Sequence, residues 1–446
     1  MPQKHLLFLT TQNYATNPRL YKEVKLAIKL NYRVTVATFR LGNWSDSKSN
    51  ELGLDKRNLR LQEIKIDATK KSKYQWLKWG LLEKLARFLY PAFKKNLLIN
   101  SLASNRRSMQ ILEVCKKTDK PDLIIVHNLG AAYPGFKLSR MWKIPFIFDV
   151  EDYHPGEAVK HDNGNEKKRR EFLLQEILPW ADGLTMASPL IRDFTLKLIG
   201  EHANHRVILN SFPEKEFNHP NQNGDSQIEP LKMVWFSQKI SFDRGLELLF
   251  KALVQICNSA IQKGKNDIAL SLTLIGDLDA DFFQKEILPL QNYIWCTPNI
   301  KTISHKQHLL TNLQKPCSIN LSILPAMPQI ELHKNLKYFD IGLALEPGKD
   351  LNNQLALSNK IMAYAQAGLY ILATNTPAQQ EFMNESTNRG LICYQTPSSI
   401  ATALLEILNR ATEVKINFAK RFKDGHSLAW EHESSKLLSL WSTLLK

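Results

Sequence analysis

A chain of 446 residues is longer than one ordinary hydrophobic core organises and predicts two domains of about 200 residues each. With 43% hydrophobic and 23% charged residues it has the composition of a globular protein, which excludes disordered and fibrous classes. The formal net charge is +16, and residues 1–212 hold 36 Lys and Arg against 21 Asp and Glu, so the basic surface belongs to the first half. It calls for an acidic partner: nucleic acid, anionic lipid or a phosphorylated substrate.

The cysteines (Cys115, Cys257, Cys296, Cys317 and Cys393) are scattered and form no CxxC pair, which excludes a disulfide framework or a zinc site and fits a reducing compartment. The first apolar run is short and followed by polar sequence, as in a first strand rather than a signal peptide. No run approaches the ~18 apolar residues of a membrane span, so a cytoplasmic protein is expected.

Residues 5–10 read as an apolar strand, 11–18 as a loop, 19–30 as a helix and 32–38 as the next strand. This is the βαβ start of a doubly wound parallel sheet. The loop sequence TQNYATNPR lacks GxGxxG and carries Arg19 instead, which disfavours a nicotinamide or flavin enzyme.

Residues 70–107 are basic. Trp76, Leu77, Leu81, Leu82, Leu85, Phe88 and Leu89 recur at helical spacing beside Lys73, Lys78, Lys84, Arg87, Lys94 and Lys95. A surface helix packing its apolar stripe on the core fits, and so does a helix lying in a membrane interface with Trp76 and Trp79 among the headgroups. Periodicity does not separate the two.

The run PDLIIVH, residues 121–127, is a central parallel strand with His127 at its carboxyl end, where open α/β sheets bind ligands. IPFIFDV, residues 144–150, is another, running into EDYHPGE with Glu151 and His154. Two consecutive strands thus deliver polar groups to one sheet edge, although a histidine there also has a purely structural reading. Residues 177–188 read as helix end, turn and strand, and VILNSF, with Asn210, follows. The Asn-, Pro- and Gly-containing stretch 218–230 reads as a domain linker.

The second half restarts with a strand at 233–236, then SQKISFDRG with Arg244-Gly245 before a helix, and a strand at 270–275 that turns at Gly276-Asp277. Residues 341–345 are a buried strand running into Glu346, and 370–374 a second. Between them a helix starts at Ser358-Asn359-Lys360, runs through 361–367 and ends at Gly368. Such a helix start, after a loop at the carboxyl end of a parallel strand, offers N–H donors, the positive end of a dipole and an ammonium to one phosphate. An ordinary capped strand–helix–strand unit has the same sequence features. The last 21 residues carry apolar residues at helical spacing.

The order DIGLALE, SNKIMAYAQAG, ATNTPAQQEF resembles the donor site of the GT-B glycosyltransferases, in particular the retaining family-4-like group of bacterial polysaccharide and glycolipid enzymes. The resemblance implies an α/β protein of GT-B type, two Rossmann-like doubly wound parallel-sheet domains facing across a cleft. Residues 1–212 would be the acceptor domain, 213–425 the nucleotide-sugar domain and 426–446 a helix crossing back to the first. It also implies site residues: Arg244, Lys360, Ser358 and Asn359 on the donor diphosphate, Glu346 on the donor sugar, and His127 beside the transferred sugar. Gly276, Asn210 and Arg19 are implied in the donor region or cleft, and His154 and Glu151 are the secondary candidates.

Three positions depart from the pattern. Ala363 stands where the family's helix Glu holds the ribose, and Ser237-Gln238 where it has Gly-Arg, leaving Lys239 as the substitute cation. Glu151 stands at the usual His position of an Asp-x-His-Glu loop, with His154 three residues later. The implied activity is retaining, hexosyl-type transfer from a nucleotide-diphosphate sugar to a glycan or lipid-linked acceptor. Neither metal nor cofactor is expected, because the cations Arg244 and Lys360 can neutralise the leaving diphosphate themselves. An anionic membrane surface, on its inner face, is an expected partner of the basic half; nucleic acid is not, for want of a binding motif. A sugar-nucleotide epimerase of the same fold and a non-catalytic scaffold of polysaccharide assembly are the alternatives.

Overall fold

The computed structural model describes residues 3–42, 46, 57–66, 73–159, 164–219, 230–262, 269–292, 294–296 and 318–446. Most of the expected linker, 218–230, lies outside them. The chain divides into two compact units. The first comprises Met1–Asn210, Asp350–Ala356 and Glu433–Lys446; the second comprises Ser211–Lys349 and Leu357–His432.

In the first unit the strands are β1 (His5–Thr10), β2 (Arg33–Arg40), β3 (Leu59–Lys65), β4 (Leu123–His127), β5 (Phe146–Val150), β6 (Gly183–Met186) and β7 (His205–Val207). They form one parallel sheet in the order β3-β2-β1-β4-β5-β6-β7. The central strands are continuous apolar runs because both sheet faces are covered: Leu6, Leu7, Phe8, Leu9, Ile124 and Phe148 are fully buried. The helix Pro18–Lys29 starts one residue earlier than expected, since Pro18 supplies a preset φ at the first turn and the Asn17 side chain accepts from the N–H groups of Arg19 and Leu20.

Two later segments belong to this unit. Leu351–Leu355 is a short helix in which Asn352 Oδ1 accepts from the Tyr153 N–H at 2.7 Å, and Ser188 Oγ donates to the Leu355 carbonyl at 2.6 Å. Composition marks this segment as polar loop; only its partners place it here. In the helix Trp430–Leu444, Trp441 is fully buried, edge-on to Phe8 and Tyr32, and Glu433 accepts from the Leu209 N–H at 2.8 Å.

The second unit holds β8 (Leu231–Ile240), β9 (Ala269–Leu278), β10 (Ile294–Cys296), β11 (Ser318–Leu324), β12 (Ile341–Ala344), β13 (Tyr370–Thr374) and β14 (Gly390–Cys393). They again form a parallel sheet, β10-β11-β9-β8-β12-β13-β14. β8 outruns the four residues expected of it. A bulge between Phe236 and Lys239 lets it continue through polar sequence. Gly276 lies opposite, at φ +153 with the Ser237 carbonyl where a Cβ would sit, so only glycine lets β9 approach the bulge.

Candidate functional site

In the second unit three predicted groups meet at the carboxyl end of β12. The helix Leu246–Gln262 opens at Arg244-Gly245, and Gly245 has φ +81 with the Leu345 carbonyl occupying the place of a Cβ. The start of this helix is therefore pressed against the strand end immediately before Glu346. The helix Asn359–Ala367 opens beside the same loop, with Ser358 Oγ accepting from the Ile361 N–H at 3.4 Å and Gly368 closing its other end. Two helix N-termini, the positive ends of their dipoles, thus flank residues 345–346.

The charges there are arranged unequally. Arg244 is exposed and makes no hydrogen bond or ion pair among the described residues. Lys360 Nζ is 2.8 Å from Glu346 Oε1 and lies over the Trp235 ring, 5.6 Å from its centroid. The two residues expected to serve phosphate and sugar separately are, without ligand, partners of each other. Lys239 is exposed at the far end of β8. Gly276 is fixed by the backbone of β8. Ala363 is fully buried, so the helix offers no polar group at that position.

In the first unit the strand ends build a different site. Parallel register puts Thr10, His127, Asp149 and Thr185 in one row across β1, β4, β5 and β6. His127 is fully buried, with Nδ1 3.2 Å from Asp149 Oδ2 and Nε2 3.6 Å from Glu23 Oε2. Burial opposes the imidazolium, but the charges and hydrogen bonds of Glu23 and Asp149 outweigh it and push the pKa up to about 10. Both ring nitrogens face carboxylates, and those charges favour the imidazolium over the neutral imidazole expected at this position.

Arg19 is likewise buried. It forks onto both oxygens of Asp149 at 2.6 and 2.8 Å and donates to the Ile208 carbonyl at 2.6 Å. Burial opposes the Asp149 carboxylate, but Arg19 and His127 outweigh it and hold its pKa far below the usual range, and Thr185 Oγ1 donates to it at 2.6 Å. Glu23, His127 and Asp149 are the one group of metal-ligand geometry among the described residues. With Arg19 already on both Asp149 oxygens, two cations balance two anions and the group closes as an ion network.

Glu151 and His154 stand beside this network. Asn17 Nδ2 donates to Glu151 Oε2 at 2.5 Å. Burial of the Glu151 carboxyl pushes its pKa up to about 7, with His127 pulling it down and Asp149 and Asp152 pushing it up. His154 accepts from the Leu129 N–H through Nε2 at 3.3 Å and pairs through Nδ1 with Glu157 at 2.9 Å. Burial lowers its pKa, but Glu157, Asp152 and Glu151 together raise it by more. Asn210 Oδ1 accepts from Lys22 Nζ at 2.6 Å.

Sequence reasoning missed Asp149 and Glu23. Asp149 interrupts an apolar strand, IPFIFDV, and an acid inside such a run signals a buried partner. Glu23 sits inside an amphipathic helix, where nothing but the neighbouring strand distinguishes it.

No family model matches the chain, and no curated protein matches it. Solved structures do. A glycosyltransferase from Rickettsia africae ESF-5 is 12% identical, with a TM-score of 0.62 over the whole of both chains. HepE from Anabaena, in complex with UDP and glucose, is 11% identical with a TM-score of 0.63, over 99% of this chain and 100% of its own. Sucrose-phosphate synthase from Thermosynechococcus elongatus is 13% identical with a TM-score of 0.62, over 99% of each chain. The fold is GT-B. At these identities the likeness extends to the arrangement of strands and helices, and residue roles rest on the geometry above.

Proposed function

We propose that the protein is a glycosyltransferase that takes its sugar from a nucleotide-diphosphate sugar held by the second unit. The observation that carries this reading is the meeting of two helix N-termini, the exposed Arg244 and the Lys360–Glu346 pair around one strand end. Cleavage of the anomeric C–O bond leaves negative charge on the departing diphosphate, and donors already in place stabilise that charge without reorganising. Arg244 offers a planar fork to phosphate oxygens. Lys360 turns from Glu346 to the phosphates when the donor binds, which frees the Glu346 carboxylate for the hydroxyls of the sugar. The solved structure of HepE with UDP-glucose, of the same fold, supports a donor of this class.

Leaving-group stabilisation of this kind requires no metal, and we assign the transfer to the retaining, metal-independent type. In the first unit the Glu23–His127–Asp149–Arg19 network acts as a positioning element, and Glu151, with a carboxyl that titrates near neutrality, is the group suited to handle an acceptor hydroxyl. A glycan or a lipid-linked sugar is the acceptor class.

Calorimetric titration with UDP-, GDP- and ADP-sugars tests the reading. One of them binds, and Arg244→Ala weakens it by about 2 kcal/mol, the scale of a charged hydrogen bond lost in a site. Absence of binding by all three would leave a non-catalytic scaffold. Product formed without any acceptor would instead indicate an epimerase.

A further inference from the structure

The helix Lys73–Leu89 has two apolar faces, and the fold uses only one. Trp79, Ala86 and Tyr90 are buried; Arg169 lies over the Tyr90 ring at 5.0 Å, and Arg87 Nε donates to the Ala103 carbonyl at 3.0 Å. At 100° per residue these residues fall on one side of the helix. Tyr74, Leu77, Leu81, Leu85 and Phe88 follow one another at intervals of three and four residues and fall on the opposite side. All five are exposed, Leu81 by 69% and Phe88 by 80%. The buried face fixes the helix in rotation, so the outer stripe cannot turn inward.

The stripe is edged by charge of one sign. Lys78 projects on one flank and Lys84 on the other, both exposed. Past the helix end, residues 91–96 are exposed as well and bring Phe93, Lys94 and Lys95 to the surface beyond Phe88. An apolar stripe of about four turns with a lysine on each flank, and two more just past its end, is complementary to one kind of surface, acyl chains beneath anionic headgroups. Among the described residues no helix is long and apolar enough to cross a membrane. We infer that the outer face of Lys73–Leu89 is a docking surface for an anionic lipid bilayer, lying in its interface with the stripe inward and the lysines at headgroup level. The inference stands apart from the donor site, which lies in the other unit.

Sedimentation of the full chain with vesicles tests it, using phosphatidylcholine alone and phosphatidylcholine mixed with phosphatidylglycerol. The mixed vesicles bind the protein and the neutral ones bind it far less. Binding falls as salt rises, because screening removes the attraction. Lys78→Gln with Lys84→Gln lowers partitioning to anionic vesicles about thirtyfold, at ~1 kcal/mol per lysine. Leu81→Gln with Phe88→Gln lowers it by on the order of tenfold or more on both vesicle types. Melting temperatures of both double variants match the parent, since the four side chains are exposed. Absence of binding at low salt, or equal binding by the parent and both variants, would overturn the inference. So would a concentration-dependent dimer in sedimentation velocity that Leu81→Gln with Phe88→Gln abolishes, since the face would then belong to a second copy of the chain.

Discussion

Glu346 and Lys360 hold opposite charges 2.8 Å apart at the mouth of two helices, an arrangement that costs one partner whenever the other is recruited. Glu346→Gln removes the competitor for the ammonium. Affinity for the nucleotide sugar is therefore expected to hold or tighten while turnover falls by on the order of tenfold, a split that calorimetry and steady-state kinetics on one variant resolve. Parallel losses would mean that Glu346 only positions Lys360. His127 makes a second prediction, on stability. Its folded pKa of about 10 exceeds the unfolded value near 6.5, so its contribution is complete below pH 6.5 and is lost as pH rises toward 10. The parent's melting temperature should fall across that interval, and His127→Gln should lose this part of the slope. The variant should also be less stable at pH 7 by about 3 kcal/mol, because it leaves the buried Glu23 carboxylate without the imidazolium beside it, while Asp149 keeps Arg19. A flat profile in the parent would mean that His127 is neutral. The sequence pointed to His127 through its place at a strand end, yet its chemistry comes from an acid on the adjacent strand and another on a helix.

At the scale of elements, the strand–loop–helix units followed from local rules: Asn17 and Pro18 open one helix, Ser358 opens another, and Gly368 closes it. What the helix starts can bind depends on contacts those rules do not contain. Gly245 occupies a left-handed conformation against the Leu345 carbonyl, and Gly245→Ala adds a Cβ where that oxygen sits. We expect a loss of about 1–3 kcal/mol in stability, together with weaker nucleotide-sugar binding as the helix start is pushed from the strand. Thermal melting and calorimetry on the variant check both, and unchanged binding would dissociate this helix from the donor site. The amphipathic pattern of residues 73–89 was readable, but periodicity cannot say which of two apolar faces a fold covers.

On the scale of the whole molecule, the first unit is completed by chain that returns to it late. Trp441 fills a space beside Phe8 and Tyr32, and the Leu440 side chain closes on Gly183 of β6. Trp441→Ala should cost about 3–5 kcal/mol, the range for an aromatic deleted from a core, and denaturant unfolding followed in the first unit measures it. A loss below about 1 kcal/mol would show that the helix adds little to that core. The apolar spacing of the last residues announced a helix; its burial depends on groups as far back in sequence as Gly183 and Phe8.

The sequence by itself determined the two parallel sheets, through runs such as LIIVH and FIFDV that only a doubly covered strand tolerates, and it determined the capped helix start at Ser358 through side-chain chemistry within one turn. Both are written in residues close along the chain. Tertiary structure alone decided that Asp149 lies beside His127, that Lys360 is held by Glu346, that Leu351–Leu355 joins the first unit and that Tyr74, Leu77, Leu81, Leu85 and Phe88 face outward. Each of these depends on strand order, register or rotation about a helix axis, which bring together groups whose separation along the chain carries no local signal.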